Sequence, residues 1–366
     1  MAFDYRKIGL KRLDTYIIAK FLGTYFFSIV LILSIAIVFD VTEKLDEFYD
    51  NHAPLEAIIF DYYVNFVPFY MNLFASLFTF IAVIFFTSKM AGNTEIVAIL
   101  ASGVSFRRFM VPYFISAAII ASISFGLGGF VIPHATKTML DFEDKYIKKF
   151  KTENAHNLQM EVEKGVILYI ERYHIEKNEG QRLSLEKFDE KHLVSRLTAE
   201  KVSWDSAYNW KLENYLQRDF DGMRETIAKG ESMDTVIQVQ PSEFFITSKE
   251  APEMTNTQLR NYLNRQQERG VGSIQAFADE YYKRYSMPLA AFIMTLIGVS
   301  LSSRKVRGGM GLHLGVGLAL SAFYVLFSTL STTFSVNGIM SPFIAAWLPN
   351  LTFLTVGILL YRSAPK

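Results

Sequence analysis

Long apolar runs separated by short polar breaks make up most of the chain, and one long water-facing stretch interrupts that rhythm. Six runs reach membrane length: approximately Thr15 to Phe39, Tyr62 to Thr87, Phe106 to Ile132, Tyr285 to Ser302, Leu312 to Thr333 and Ile339 to Tyr361. About 20 helical residues cross a hydrocarbon core of roughly 30 Å, so each run predicts a transmembrane helix. Basic residues gather at alternate ends. Arg6, Lys7, Lys11 and Arg12 precede the first run, while Lys89, Arg107 and Arg108 lie between the second and third. Arg304, Lys305 and Arg307 lie between the fourth and fifth, and Arg362 with Lys366 follows the sixth. The loop Ser331 to Ser341 has no Lys or Arg. The positive-inside rule then predicts cytoplasmic termini. No small-residue cleavage pattern follows the basic N-terminus, which predicts a retained first span rather than a signal peptide.

The interruption runs from about His134 to Tyr282, with 21 Lys plus Arg against 26 Asp plus Glu. That composition faces water and is long enough for one domain. The expected division is therefore 1–133, 134–282 and 283–366. Met139, Phe142, Tyr146 and Phe150 recur at helical spacing, so the third span is expected to continue outward as an amphipathic helix. The period then changes to two, at Gly165 to Tyr173, Arg182 to Phe188, Leu197 to Trp204, Trp210 to Arg218 and Thr235 to Val239. Strands at this spacing suggest a sandwich or jelly roll. Ser206 to Asn209 reads as a hairpin loop whose flanking Trp204 and Trp210 help fill the inner face, either as ordinary core or as a groove for lipid. Thr255 with Gln258 forms a capping box before Leu259, Tyr262 and Leu263. The expected fold is an α-helical membrane protein with six transmembrane helices and an inserted all-β, jellyroll-like domain.

One short polar break has a pattern of its own. In Ser88 to Pro112, Asn93 or Thr94 is placed to cap a helix over about 93–103. Glu95 sits at the positive end of its dipole, and Gly103 stops it. Ile96, Val97, Ile99 and Leu100 form one apolar stripe. Such a stripe on a cytoplasmic loop meets either a partner or the chain's own bundle.

Composition changes this picture mainly by exclusion. The 366 residues are 51% hydrophobic with 32 Phe, yet 20% charged, so charge is segregated from the apolar runs. A net charge of +1 gives no footprint for nucleic acid. There is no cysteine, hence no disulfide framework, thiolate nucleophile or Cys metal site. No phosphate-binding loop is present; Gly308, Gly309 and Gly311 lack its lysine and read as a tight turn between spans. His52, His134, His156, His174, His192 and His313 show no metal-binding spacing. No catalytic, cofactor or metal site is expected in this chain. The spans carry few acids, which weighs against a proton- or sodium-coupled carrier. Three cations bracket the external stretch: Lys44 after the first span, Lys283 and Arg284 before the fourth. They either snorkel to headgroups or line a cavity that holds the phosphates of an amphiphile.

With these residues in hand, the chain resembles the LptF/LptG family of permeases (YjgP/YjgQ-type). The likeness rests on LDTYIIAKF (Leu13 to Phe21), NTEIVAILASGVSFRRFMVP, AEKVSWDSAYNWKLEN, SMPLAAFIMTLIGVSLSSR with RGGMGLHLGVGLALSAFYVLF, and AWLPNLTFLTVGILLY. VFDVTEKLDEF after the first span is closer to the LptG side, although of that side's basic residues only Lys44 is present, among Asp40, Glu43, Asp46 and Glu47. The second span keeps Pro68 but has Asn72 where apolar or proline residues are usual. The resemblance implies a lipopolysaccharide exporter's membrane subunit in the inner membrane of a Gram-negative bacterium, with a periplasmic β-jellyroll. Implied partners are a paralogous permease, the dimeric ATPase LptB, which would bind ATP and Mg, the periplasmic LptC and LptA-type jellyroll proteins, and lipopolysaccharide. It also implies that the helix at 93–103 is a coupling helix, with Glu95, Ile96, Ile99, Leu100, Arg107 and Arg108 toward the ATPase. Lys44, Lys283 and Arg284 are then the candidates for lipid binding. The alternative is a non-transporting scaffold whose external domain docks an envelope assembly factor.

Overall fold

The structure is a computed structural model that describes residues 11–147, 154–174, 177–190, 192–222, 224–245, 248–269, 274–304 and 309–364. Arg6, Lys7, Phe150, Lys305, Arg307, Gly308 and Lys366 lie outside the described residues. The chain separates into two compact units, Met1–Ile147 with Pro252–Asn256 and Ala278–Lys366, and Lys148–Ala251 with Thr257–Phe277.

The first unit is helical. It holds α1 (Arg12–Asp50), α2 (Leu55–Ala57), a π-helical segment (Ile58–Tyr63), α3 (Val64–Leu73), α4 (Ala75–Gly92) and α5 (Glu95–Ala101). Next come α6 (Phe106–Gly126), a second π segment (Leu127–Val131) and α7 (Ile132–Tyr146). After the strands and α8 (Asn256–Arg269), α9 (Gln275–Ser302) returns to this unit, followed by α10 (Gly309–Val336) and α11 (Pro342–Ser363). Among the described residues six helical stretches are long and apolar enough to cross a membrane: Arg12–Asp50, Ala75–Gly92, Phe106–Tyr146, Gln275–Ser302, Gly311–Val336 and Pro342–Ser363. The second differs from its expected limits, because the helix breaks at Phe74, where φ −100° and ψ 14° leave the helical region. As anticipated, the third continues through α7, and the apolar face of that extension, Met139 and Phe142, buries against Phe48, Tyr62 and Phe66.

Two apolar clusters hold the helices together, and α4 belongs to both. On one side Phe78, Ala82, Val83 and Phe86 meet Ile17, Phe21, Tyr25 and Ile29 of α1 and Phe109, Tyr113 and Ile120 of α6. On the other, Phe80 and Ile84 meet Ile293, Met294 and Ile297 of α9, Tyr324 of α10 and Phe353 of α11. Close approach is possible because small residues face α4: a Cβ at Gly298 would stand 2.7 Å from Val83 Cγ1, and one at Gly317 would fall on Ile84 Cδ1 at 2.2 Å. Within lipid, where apolar surface gains little by leaving its solvent, such packing supplies most of the attraction between helices.

The second unit is built on a six-stranded antiparallel meander in the order β1 (Asn154–Glu163), β2 (Val166–His174), β3 (Glu179–Asp189), β4 (His192–Ser206), β5 (Asn209–Asp221) and β6 (Arg224–Val236). Leu168, Ile170, Leu183, Val202, Trp210 and Leu212 line its buried face. The chain after β6 folds back over that face with Ile237, Val239 and Phe244, and Trp210 Nε1 donates to Val239 O at 3.1 Å. Trp204 and Trp210 are direct cross-strand partners around the expected hairpin, Trp210 fully buried and Trp204 packed at the cluster's rim. Burial pushes the neighbouring Tyr173 phenol above its usual pKa. Of the six strands, β1 and most of β6 fall outside the stretches that periodicity marked.

If α4 is held by side-chain absence, adding bulk at its contact is costly. Gly298→Val sets a branched side chain against Val83, which is itself stiff, and is expected to destabilise by about 1–3 kcal/mol. Thermal unfolding of the detergent-solubilised protein measures this, and Val83→Ala in the same chain should recover much of the loss.

Candidate functional site

The connector α5 begins at Thr94, whose backbone takes φ +64°. Neither Asn93 nor Thr94 caps it as expected: the Thr94 hydroxyl donates to Asn93 O (2.6 Å), and Asn93 Nδ2 donates to Glu95 Oε1 (3.0 Å). A left-handed residue at this position turns the Thr94 side chain away from the helix's free N–H groups, so the Asn93 amide closes the turn on Glu95 instead. The other carboxylate oxygen, Oε2, accepts from Tyr16 OH of α1 at 3.3 Å. Gly103, at φ +88°, ends the helix region as its sequence position suggested.

The stripe divides. Ile96 is buried, and Ile99 and Leu100 pack on the same cluster as Ile17 and Phe21, so these three face the chain's own bundle. Val97 stands out at 62% exposure, and Ala98, Ala101, Ser102, Gly103, Ser105 and Arg107 are also exposed. The face open to a partner is therefore small-residue and shallow, centred on Val97 and flanked by Arg107.

Arg108 is engaged within the chain. Its Nη1 donates to Asp14 Oδ1 (2.7 Å) and its Nη2 to Asp14 Oδ2 (2.5 Å), while Lys11 N also donates to Asp14 Oδ2 (2.9 Å). Ser105 caps α6 by accepting from Arg108 N. Asp14, 1% exposed, is a residue the sequence reading passed over. An acid in the first turn of an apolar helix, on the side where basic residues gather, was the signal.

Lys44, Lys283 and Arg284 are each paired. Lys44 bridges Asp40 at 3.0 Å, lies 4.0 Å from Glu143, donates to Tyr62 OH, and stands over the Tyr62 ring. Asp40 also accepts from Tyr62 OH and Tyr63 OH. Lys283 bridges Asp279 at 3.0 Å. Arg284 is buried and spends its guanidinium on Glu280, Met254 O, Asn256 and Pro252 O, which fastens the 252–256 segment to α9. In every case the carboxylate lies four residues earlier on the same helix, a spacing that puts the two side chains on one face. Lys283 lines two small cavities of about 130 and 150 Å³ that share Asn72, Leu73 and Met287, and Arg284 borders the second of them.

Apolar exposure is concentrated elsewhere. Only 28% of the most apolar window of α1 and 22% of that of α10 are buried within the chain, against 61% for α4 and 67% for α9. Phe27, Val30, Val38 and Phe39 of α1 and Phe323, Leu326 and Leu330 of α10 form the exposed faces. In the β unit the inner face is filled at one end by Tyr173, Trp210 and Phe244, and at the other it opens to a cavity of about 290 Å³ bordered by Leu185, Leu197 and Met233. Among the described residues no three His, Asp or Glu side chains converge in a way that could hold a metal ion.

The family model described as lipopolysaccharide export system permease LptF/LptG matches residues 15–363, nearly the whole chain. No curated protein matches the chain.

The burial of Arg284 sets an expectation that separates fold from ligand. Arg284→Gln removes a guanidinium that holds an acid and two backbone carbonyls, and should cost about 3 kcal/mol of stability. A lowered unfolding midpoint in detergent without added lipid checks it; a lipid-binding arginine would leave that midpoint where it was.

Proposed function

The chain belongs to the LptF/LptG family of lipopolysaccharide export permeases, and on that premise we propose that it is the membrane subunit of an ATP-driven exporter that extracts lipopolysaccharide from the inner membrane. It is a multi-pass inner-membrane protein and a transport component. ATP and Mg are bound by a separate dimeric ATPase of the LptB kind, and a paralogous permease completes the membrane pore. The termini and the connector face the cytoplasm, while residues 134–282 form the periplasmic domain that hands lipid to LptC and LptA-type bridge proteins. LptF and LptG roles are equally compatible with the family match.

The observation that carries the mechanism is the contrast between paired cations and bare apolar helices. With Lys44 and Arg284 satisfied inside the chain, the acyl chains are the part of the lipid this subunit grips, along the exposed faces of α1 and α10. The motor's push arrives on the Val97 face of α5, with Glu95 and Arg107 at its ends. In the β unit, β6 has β5 as its one strand neighbour among the described residues, so its free edge can accept a strand from the bridge.

The test is co-purification with a P-loop ATPase, followed by ATP-dependent release of lipopolysaccharide from proteoliposomes. A scaffold would bring no ATPase and release nothing. Val97→Asp buries a charge in the docking face and should weaken ATPase capture by about 2 kcal/mol, roughly thirtyfold. Glu95→Ala should lower the lipid released per ATP while the isolated chain stays folded. A photo-crosslinker at Met233, beside the open end of the β unit's inner face, should capture lipid only during ATP turnover. The same probe at Phe244, inside the filled end, should capture none, and equal capture with and without ATP would count against a lipid path through this domain.

A further inference from the structure

We propose that Asp14 and Tyr16 are positioning residues that lock the connector to α1, so that α5 and the first span move as one body. The inference rests on the reading that α5 receives the motor's motion. The two residues sit within one turn of α1 and reach both sides of the connector's exit loop: Tyr16 OH donates to Glu95, the first residue of α5, and Asp14 holds Arg108 in the first turn of α6, the helix that follows. Between these points Ile96, Ile99 and Leu100 press on the cluster that includes Ile17 and Phe21. A short helix held at its start and along one face, with the next helix tied to the same turn of α1, takes its support with it when it tilts.

The chemistry of the joint favours transmission over mere stability. With Asp14 buried but the Arg108 side chain 37% exposed, the pair adds little to stability, since desolvation and solvent screening offset much of the attraction. What a two-pronged guanidinium–carboxylate contact adds is direction, because its parallel hydrogen bonds resist rotation as well as separation. Asp14 is buried, and Lys11 N–H and both Arg108 nitrogens fill three of the roughly four acceptor sites on its oxygens. The arrangement also selects what moves. The apolar face of α1 is the surface proposed to hold lipid, and α10 carries the other exposed face; both pack on α4, but α1 adds α6 and α10 adds α11. With α5 and α6 tied to α1, displacing α5 is proposed to carry α1 and leave α10 with α11.

The experiment uses the full complex with its ATPase and spin labels at Val38 on α1 and Leu330 on α10, both in exposed helix positions. In the parent, trapping the ATPase with vanadate should change the inter-label distance. Asp14→Asn and Arg108→Lys keep the volume but lose the paired contact, and should reduce that change by more than half while the amount of lipid released per ATP falls at least about fivefold. Exchanging the charges, Asp14→Arg with Arg108→Asp, should restore both. Folded single variants whose labels move as in the parent would overturn the joint, and so would a charge exchange that rescues the unfolding midpoint alone. A parent complex that moves its labels but releases no lipid would instead overturn the transport reading, and the variants would still report on the joint.

Discussion

Everything in the helical unit depends on the close packing of α4 against helices that offer it glycine. A lipid solvent is as apolar as leucine, so the helices are not driven together by the force that folds soluble cores, and contact area at short range must serve instead. Gly298 and Gly317 let α9 and α10 approach one side of α4, while Phe78, Val83 and Phe86 engage α1 and α6 on the other. Because one helix joins both clusters, the less buried spans can expose apolar surface without loosening the unit.

Much of this was legible in the order of residues, and the part that was not has a physical reason. Six spans and the central strands show through because burial on one face, or on all faces, imposes a period on hydrophobicity. β1 and β6 carry little such signal: they are the edge strands of the meander, and β6, RETIAKGESMDTV, is exposed along most of its length. The connector illustrates a different limit. Spacing grouped Ile96, Val97, Ile99 and Leu100 as one stripe; three of them do share the packed face while Val97 turns outward, and nothing in spacing says whether a face meets a partner or the floor beneath it.

The three cations that flank the inserted stretch were read without their nearest partners. Position relative to the spans made Lys44, Lys283 and Arg284 look available to phosphate, yet Asp40, Asp279 and Glu280 precede them by one helical turn. Once the helices are known to be continuous there, intrahelical pairing is the nearest partner each cation can find. Asp14 was overlooked for the complementary reason. Its partner lies 94 residues away, and only the fold brings them together.

The length of α1 has one further consequence. Its N-terminal end is fastened at Asp14 and its C-terminal half at Asp40, where Tyr62 and Tyr63 donate to the same carboxylate. At 1.5 Å of rise per residue these anchors are separated by roughly 40 Å, close to the thickness of a bilayer with its headgroups. A helix pinned at both ends cannot slide to suit a thinner membrane; it can only lean, or thin and thicken the lipid around it. The first span is in that sense a gauge, and the acyl length of the surrounding membrane becomes one of the variables that set its resting tilt.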